Sequence, residues 1–429
     1  MMDDEPLRWL YGREAMGIKL GLGNITRLLS HLGDPHLRFR SVHVAGSNGK
    51  GSVSAMTASV LQEAGYRTGL YTSPHLVDFR ERIQVDGTPI PVKDMLHLID
   101  EVREFAERPG PPEERLTFFE LTTAMAFAHF ADAGVDEAVV EVGMGGRLDA
   151  TNVITPDCCA ITRIGLEHTM YLGDTIAAIA WEKAGIIKPG VPVVAIEQDS
   201  DALSVIRARA GDLGAPLKIV GRDVGFEELF STMDGTEVYL EELDLALRVP
   251  LLGRYQASNC ALAGGTLAEL MRRGIYIPEE AIINGMAKVR WPGRMDIVSR
   301  EPLIMFDVTH TPDGARTVAA EVGRLLGSGL ILVLGVLSDK DLQGIAASFG
   351  PLARLAIATS PSSPRAFTAS QVAQALRPFV GTVEEVPDVA AALTRAVALA
   401  SPMDSILVTG SLFTIGEAFR WLDDRKTRR

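Results

Sequence analysis

The stretch Ser41-Val-His-Val-Ala-Gly-Ser-Asn-Gly-Lys-Gly-Ser52 decides how the rest of the chain is read. Residues 42–45 have the apolar character of a short buried strand. Gly46, Gly49 and Gly51 break that run, and Val53, Met56, Val60, Leu61 and Ala64 then recur at helical spacing. A strand, a glycine-rich turn carrying a lysine, and a helix start together make a phosphate cradle. Backbone N–H groups reach the anion with no Cβ in the way, the helix N-terminus adds partial positive charge, and Lys50 adds a full one. The candidate ligands are Gly46, Ser47, Asn48, Gly49, Lys50, Gly51 and Ser52. The spelling departs from the common P-loop: two residues rather than four separate Gly46 from Gly49, and Gly51 follows the lysine. The hydroxyl, a candidate Mg²⁺ contact, comes one place later at Ser52. An ordinary glycine turn is the plain alternative.

Outward from this loop, apolar strands and amphipathic helices alternate. Strands are expected at residues 68–72, 138–142 and 158–162, and helices at 92–106, 118–131 and 174–184, the last capped by Asp174 or Thr175. This βα alternation implies a doubly wound, mainly parallel sheet. Residues 226–249 alternate with period two around Asp234-Gly235 and read as antiparallel hairpins attached to that sheet. After the turn-rich joint Trp291-Pro-Gly-Arg294 the alternation restarts, with strands near 303–307, 330–335, 355–359 and 405–409. The expected architecture is α/β. Residues 1–295 form a P-loop ATP-binding domain, and residues 296–429 a Rossmann-like α/β domain.

Composition narrows the function. A formal net charge of −13, spread without long single-sign blocks, argues against nucleic-acid or anionic-membrane binding. No apolar run is long enough to cross a membrane, and the first residues are acidic and polar rather than a signal core. Cys158, Cys159 and Cys260 form neither a disulfide framework nor a metal motif, so they read as small buried side chains in a reducing cytoplasm.

Several strand ends carry chemistry. Glu141 opens the loop Glu141-Val-Gly-Met-Gly-Gly-Arg-Leu-Asp149 and is the candidate Mg²⁺ carboxylate, with a solvated carboxylate as the bland alternative. Glu167-His168 closes the next strand, where a histidine suits a metal or a phosphate. Lys183 stands near a helix end with Gly185 as a possible C-cap; if buried, its amine would be open to CO₂. Asp307-Val-Thr-His310 and Ser338-Asp-Lys-Asp341 follow strands of the second domain, which therefore faces the same cleft.

Together these segments resemble the Mur ligase superfamily, most closely its folylpolyglutamate synthase/dihydrofolate synthase branch. The resemblance spans nearly the whole chain. It runs from Leu22-Gly-Asn-Ile-Thr through residues 43–52, Tyr71-Thr-Ser-Pro-His, Glu81-Arg-Ile, Thr117-Phe-Phe-Glu120, residues 141–152 and 161–172, Glu182–Gly185 and residues 253–259 to Trp291–Arg294, residues 307–315, Asp339–Asp341 and Gly410-Ser-Leu412. It implies an ATP- and Mg²⁺-dependent ligase joining L-glutamate to dihydropteroate or a reduced folate through an acyl phosphate. The enzyme would be a cytoplasmic monomer with small-molecule substrates only. It also implies roles. Lys50 contacts phosphates, Ser73 and Glu141 hold one Mg²⁺, and His168 helps hold a second. Lys183 matches the lysine that the superfamily carbamylates. Gln256, Asn259, Arg294, Asp307 and His310 match nucleotide positions, with Lys50, Lys183, Asp307 and His310 forming the catalytic set. Phe118, Phe119 and Glu120 lie in a segment resembling one near the pterin site.

Three motifs depart from the family pattern. Glu167-His168 replaces Asp-His, Tyr255-Gln256 replaces His-Gln, and Asp307-Val-Thr-His-Thr-Pro312 replaces Asp-Gly-Ala-His-Asn-Pro. Thr309 and Thr311 leave open another pterin or carboxylate acceptor. A non-catalytic nucleotide-binding regulator is the reading from a different class.

Overall fold

The computed structural model describes residues 5–17 and 19–427. The strand before the glycine loop is β1 (Arg40–Ala45), buried at every residue after Arg40. With β2 (Thr68–Tyr71), β3 (Ile83–Val85), β4 (Thr88–Pro89), β5 (Glu137–Glu141), β6 (Cys158–Ile161), β7 (Val193–Ile196) and β8 (Leu217–Val220) it forms one sheet. The order is β4-β3-β2-β5-β1-β6-β7-β8, parallel except at the β2–β3–β4 edge. Both faces are covered, which is why the strands read as continuous apolar runs rather than alternating ones. Val42 and Val44 point into one core with the helices Lys50–Glu63 and Tyr255–Arg272, while Ala45 points into the opposite one. The helix Lys50–Glu63 carries more than one apolar stripe. Val53, Met56, Val60 and Leu61 are fully buried, and Ser54 and Thr57 on its other faces are buried too. Each of those large apolar side chains contributes about 1.5–3 kcal/mol on burial.

The hairpin segment differs from expectation. β9 (Phe226–Thr232), β10 (Gly235–Leu240) and β11 (Leu245–Val249) pair antiparallel as a separate three-stranded sheet, not as an extension of the main one. Their alternation buries Val238, Leu240, Leu247 and Val249 in the same core as the helix Tyr255–Arg272. The driving contact is apolar packing, and the hydrogen-bonding edge of β8 is not used.

The third sheet comprises β12 (Asp296–Arg300), β13 (Leu303–Phe306), β14 (Leu330–Leu334), β15 (Ala353–Ala358), β16 (Val383–Glu385) and β17 (Ser405–Thr409). Its order is β12-β13-β17-β14-β15-β16, parallel except for β12. It packs back on the first sheet's loops: a Cβ on Gly416 would meet the Leu76 carbonyl oxygen at 2.3 Å. Among the described residues no helix is long and apolar enough to cross a membrane.

Candidate active site

β1 lies between β5 and β6, so the loops after all three stand side by side at the carboxyl edge of the sheet. The glycine loop after β1 is braced rather than loose. Ser47 and Asn48 donate their amides to the Arg163 carbonyl at 2.8 and 3.2 Å, and the Ser47 hydroxyl donates to Gly165 O at 3.1 Å. These two residues therefore do not offer their amides to an anion, which corrects the expectation that the whole loop does. The free donors are the first-turn amides of the helix that begins at Lys50, including those of Gly51 and Ser52. Gly49 adopts φ +97°, and a Cβ there would lie 2.6 Å from Asn259 Oδ1. Both facts require glycine. Lys50 Nζ folds back onto Gly46 O at 3.0 Å, and Ser52 is buried in the same first turn.

Glu141 ends β5 and is buried. It accepts the Ser73 amide at 3.3 Å and has no ion-pair partner among the described residues. Burial raises its pKa, opposed by Lys50, the Ser73 amide, Arg294 and Arg82. A buried carboxylate with cations near but none attached fits a divalent cation. No cluster of three acidic, His or Cys ligands exists among the described residues. That suits Mg²⁺, which takes one or two carboxylates and completes its shell with water and phosphate.

The loop after β6 brings in Glu167 and His168. Glu167 accepts a hydrogen bond from Lys183 Nζ at 2.6 Å, and the same amine donates to Gly46 O at 2.8 Å. Burial alone would raise the Glu167 pKa, but Lys183 and Lys50 hold it down at about 2. Burial lowers Lys183 to about 8, with Glu167 opposing. The pair is charged at neutral pH and ties the glycine loop to the helix Ile176–Ala184. Gly185 caps that helix, but in the right-handed conformation. Its glycine identity comes from packing: a Cβ would lie 2.3 Å from Arg147 Cβ. His168 sits at positive φ (48°), exposed at the N-cap of a one-turn helix.

Gln256 and Asn259 lie one helical turn apart against the glycine loop, and Asn259 Nδ2 donates to Gln256 Oε1 at 2.9 Å. Gln256 Nε2 is buried without a partner, an orphan donor beside the cradle. From the third sheet, Asp307 is buried and uses both oxygens on backbone amides, Met295 at 3.0 Å and Thr309 at 2.9 Å. The structure thus makes Asp307 a pin for the joint and its own loop rather than a free catalytic carboxylate. His310 is tethered through Nδ1 to Val308 O at 3.0 Å, and burial lowers its pKa, so it is neutral with Nε2 available.

The segment 118–120 divides. Phe118 is core, stacked on Tyr11 with ring centroids 5.8 Å apart. Phe119 is half-buried against Gly143. Glu120 is a correction to the substrate-binding expectation, because its Oε2 accepts the Thr117 amide at 2.7 Å and the Thr117 hydroxyl at 2.8 Å, closing a capping box. One residue went unselected by sequence reasoning. Arg82 is buried, donates through Nε to His75 Nδ1 at 2.8 Å, lies over the Phe118 ring and makes no ion pair among the described residues. A charged residue in a turn reads as solvated, so its burial is visible only in the tertiary structure.

Family models match two segments: "Mur ligase middle domain" over residues 44–267 and "Mur ligase, glutamate ligase domain" over residues 293–412. A probable bifunctional folylpolyglutamate synthase/dihydropteroate synthase of Haloferax volcanii is 40% identical over 96% of this chain. The chain belongs to the folylpolyglutamate synthase/dihydrofolate synthase family of Mur ligases. It spans about half the length of that relative and of its Halobacterium salinarum counterpart, 50% and 52% respectively. A Bacillus subtilis member named dihydrofolate synthase/folylpolyglutamate synthase matches end to end, at 35% identity over 95% of this chain and 96% of its own. The Mycobacterium tuberculosis folylpolyglutamate synthase, solved with ADP and AMPPCP, superposes with a TM-score of 0.87 at 33% identity, covering 97% of this chain and 99% of that one.

Proposed function

We propose that this chain is an ATP-dependent ligase that adds L-glutamate to dihydropteroate, reduced folates, or both, releasing ADP and phosphate. One observation carries the reading. The glycine loop with Lys50, the unpaired buried carboxylate of Glu141 and the Glu167–Lys183 pair meet at one sheet edge, and electrostatics links that edge to Arg294. The full-length likeness to enzymes of that name and to a nucleotide complex supports it.

A carboxylate is a poor electrophile at neutral pH. ATP overcomes this: an acceptor carboxylate oxygen bonds to the γ-phosphorus, and the β,γ-bridging P–O bond breaks to leave ADP. The glutamate amine, having lost a proton, then bonds to the acyl carbon, and the C–O bond to phosphate breaks. Magnesium, when bound, supplies charge neutralisation at the phosphates. Glu141, Ser73 and Ser52 would hold it, and His168 would help hold a second ion. Lys50 and the first-turn amides steady the phosphates, and Gln256 and Asn259 meet the nucleotide. Arg82 receives a substrate carboxylate. His310 offers Nε2 to the nucleotide or the incoming amine, on a loop held by Asp307. Lys183, with an amine near pKa 8, is suited to carbamylation by CO₂. Extra density on Nζ in a crystal grown with bicarbonate would test that assignment, and a bare amine in an active enzyme would refute it.

The chain works, on this reading, as a cytoplasmic monomer of two lobes parted at residues 295 and 296. Closure of the lobes keeps water from the acyl phosphate. The decisive experiment gives purified protein ATP, glutamate and each acceptor in turn. Acceptor-dependent ADP release with a glutamyl adduct by mass spectrometry is expected, and none with any acceptor defeats the reading. Lys50→Ala is expected to lower kcat roughly 10³-fold, the scale of one lost transition-state charge contact.

A further inference from the structure

The joint between the lobes, Trp291-Pro-Gly-Arg-Met295, carries a cation with no partner of its own. Arg294 stands beside Ser73 and Glu141 and makes no ion pair or side-chain hydrogen bond among the described residues. Its charge is felt on both sides of the cleft. It opposes the burial that raises the pKa of Glu141 in the first lobe and of Asp307 in the second. With no side-chain tether, the guanidinium is placed by its backbone.

That backbone is tied to the second lobe. Gly293 and Met295, on either side of Arg294, are both left-handed, at φ +74° and +48°. The Val308 amide donates to Gly293 O at 2.9 Å, and the Met295 amide donates to Asp307 at 3.0 Å. A methionine held left-handed is strained and persists only where its surroundings enforce it, and Met295 is fully buried. These ties register Arg294 to the loop after β13. None of them reaches the phosphate helix Lys50–Glu63.

Trp291 supplies that connection. The helix Glu279–Lys288 runs beside the phosphate helix, so close that a Cβ on Gly285 would lie 2.5 Å from Val60 Cα. Lys288 pairs with Glu63, in the last turn of the phosphate helix, at 2.7 Å. The chain then reaches the first turn, where a Cβ on Gly51 would lie 2.3 Å from Cζ2 and 2.9 Å from Nε1 of the Trp291 indole. Only glycine leaves room for the ring, and this is the turn whose amides are free for an anion. The indole N–H has no partner among the described residues, so packing alone seats the ring. Pro292, its φ fixed by the pyrrolidine ring, then links Trp291 stiffly to Gly293.

We propose that Trp291 is a positioning residue for the ligase reaction: seated on Gly51, it registers Arg294 against the first turn of the phosphate helix, so that the guanidinium and those amides meet the same nucleotide phosphates. The inference rests on the ligase reading and adds to it a residue that acts through Arg294. Misplacing a contact of this kind by about 1 Å costs roughly 10²-fold in rate.

The test uses the full chain with Trp291→Ala, Trp291→Phe, Arg294→Ala and the Trp291→Ala/Arg294→Ala pair, each checked for folding by thermal melt. Trp291→Ala is expected to lower kcat roughly 10²-fold. It is also expected to weaken Mg²⁺–ADP binding by calorimetry roughly 10-fold, the scale of one charge-assisted contact. KM for glutamate and for the acceptor should stay unchanged. Trp291→Phe, which keeps an aromatic ring over Gly51, should recover most of both losses. The double variant decides the matter: its kcat and ADP affinity should equal those of Arg294→Ala alone. Losses that multiply would mean that Trp291 acts independently of Arg294, and would overturn the proposal. So would a raised acceptor KM at unchanged kcat, which makes the ring a wall of the acceptor site. A lowered melting temperature with kcat and ADP affinity intact overturns it as well, leaving Trp291 a packing residue. If the unmodified chain turns over no acceptor, the ligase reading fails, and the ADP-binding cycle still decides the role of Trp291.

Discussion

Strand β5 carries a glutamate at each end, Glu137 and Glu141, and the pair separates burial from function. Four residues apart on a strand, both point to the same face. Both are buried, and burial raises the pKa of each. Glu137, at the amino edge, reaches about 8; Arg40 lowers it, while Asp157 and Asp136 push it up further. One of its oxygens has no partner, and Arg40, 3.2 Å away, is shared with Asp157 at 2.8 Å. Glu141 stands at the carboxyl edge, where the glycine loop, the joint and the third sheet converge. Each carboxylate has cations for neighbours. The one at the carboxyl edge, Glu141, lines a cavity of about 410 Å³.

That contrast can be broken by substitution. Glu141→Gln is expected to reduce kcat roughly 10²–10³-fold with little change in thermal stability, since its loss removes a metal and transition-state contact. Near-normal turnover would return Glu141 to the structural class. Glu137→Gln is expected to leave turnover unchanged and to act on stability through pH. The folded-state pKa of Glu137 lies above its unfolded value, so the native state holds the proton more tightly. That contribution is full below about 4.5 and is lost as pH rises toward 8. Chemical denaturation at pH 5 and pH 8 should show the variant's stability falling less between them, by about 2–4 kcal/mol. Parallel curves would mean that Glu137 ionises freely. A third buried glutamate gives the smallest effect: Glu120→Ala is expected to cost about 1 kcal/mol, the scale of a lost cap, without raising KM for the acceptor. A raised KM would restore Glu120 to the substrate site.

Legibility along the chain followed burial pattern. The helix Val92–Ala106 and the strand Ser405–Thr409 match their expected bounds, because an amphipathic stripe and a fully apolar run are unambiguous signals. β12 escaped notice: it is a half-exposed antiparallel edge strand, Asp-Ile-Val-Ser-Arg, with neither run nor alternation. The short β3–β4 hairpin escaped for the same reason. The hairpin unit 226–249 was legible in its pairing but not in its placement, since packing on a helix leaves no mark in a strand's own alternation.

The sequence by itself determined the α/β alternation, the glycine loop at Lys50 and the polar residues at strand ends, because these are local: periodicity, turn chemistry and order along the chain. Tertiary structure alone decided what each polar group does. It tied Ser47 and Asn48 to Arg163, gave Glu120 to a helix cap, and set Asp307 to hold its own loop. It also buried Arg82 and Glu141 without ion-pair partners among the described residues, and it left a cavity that Glu141 and Lys288 both line. The reason is physical. A charge's behaviour depends on desolvation and on partners brought from distant segments, and neither is written in the residues beside it.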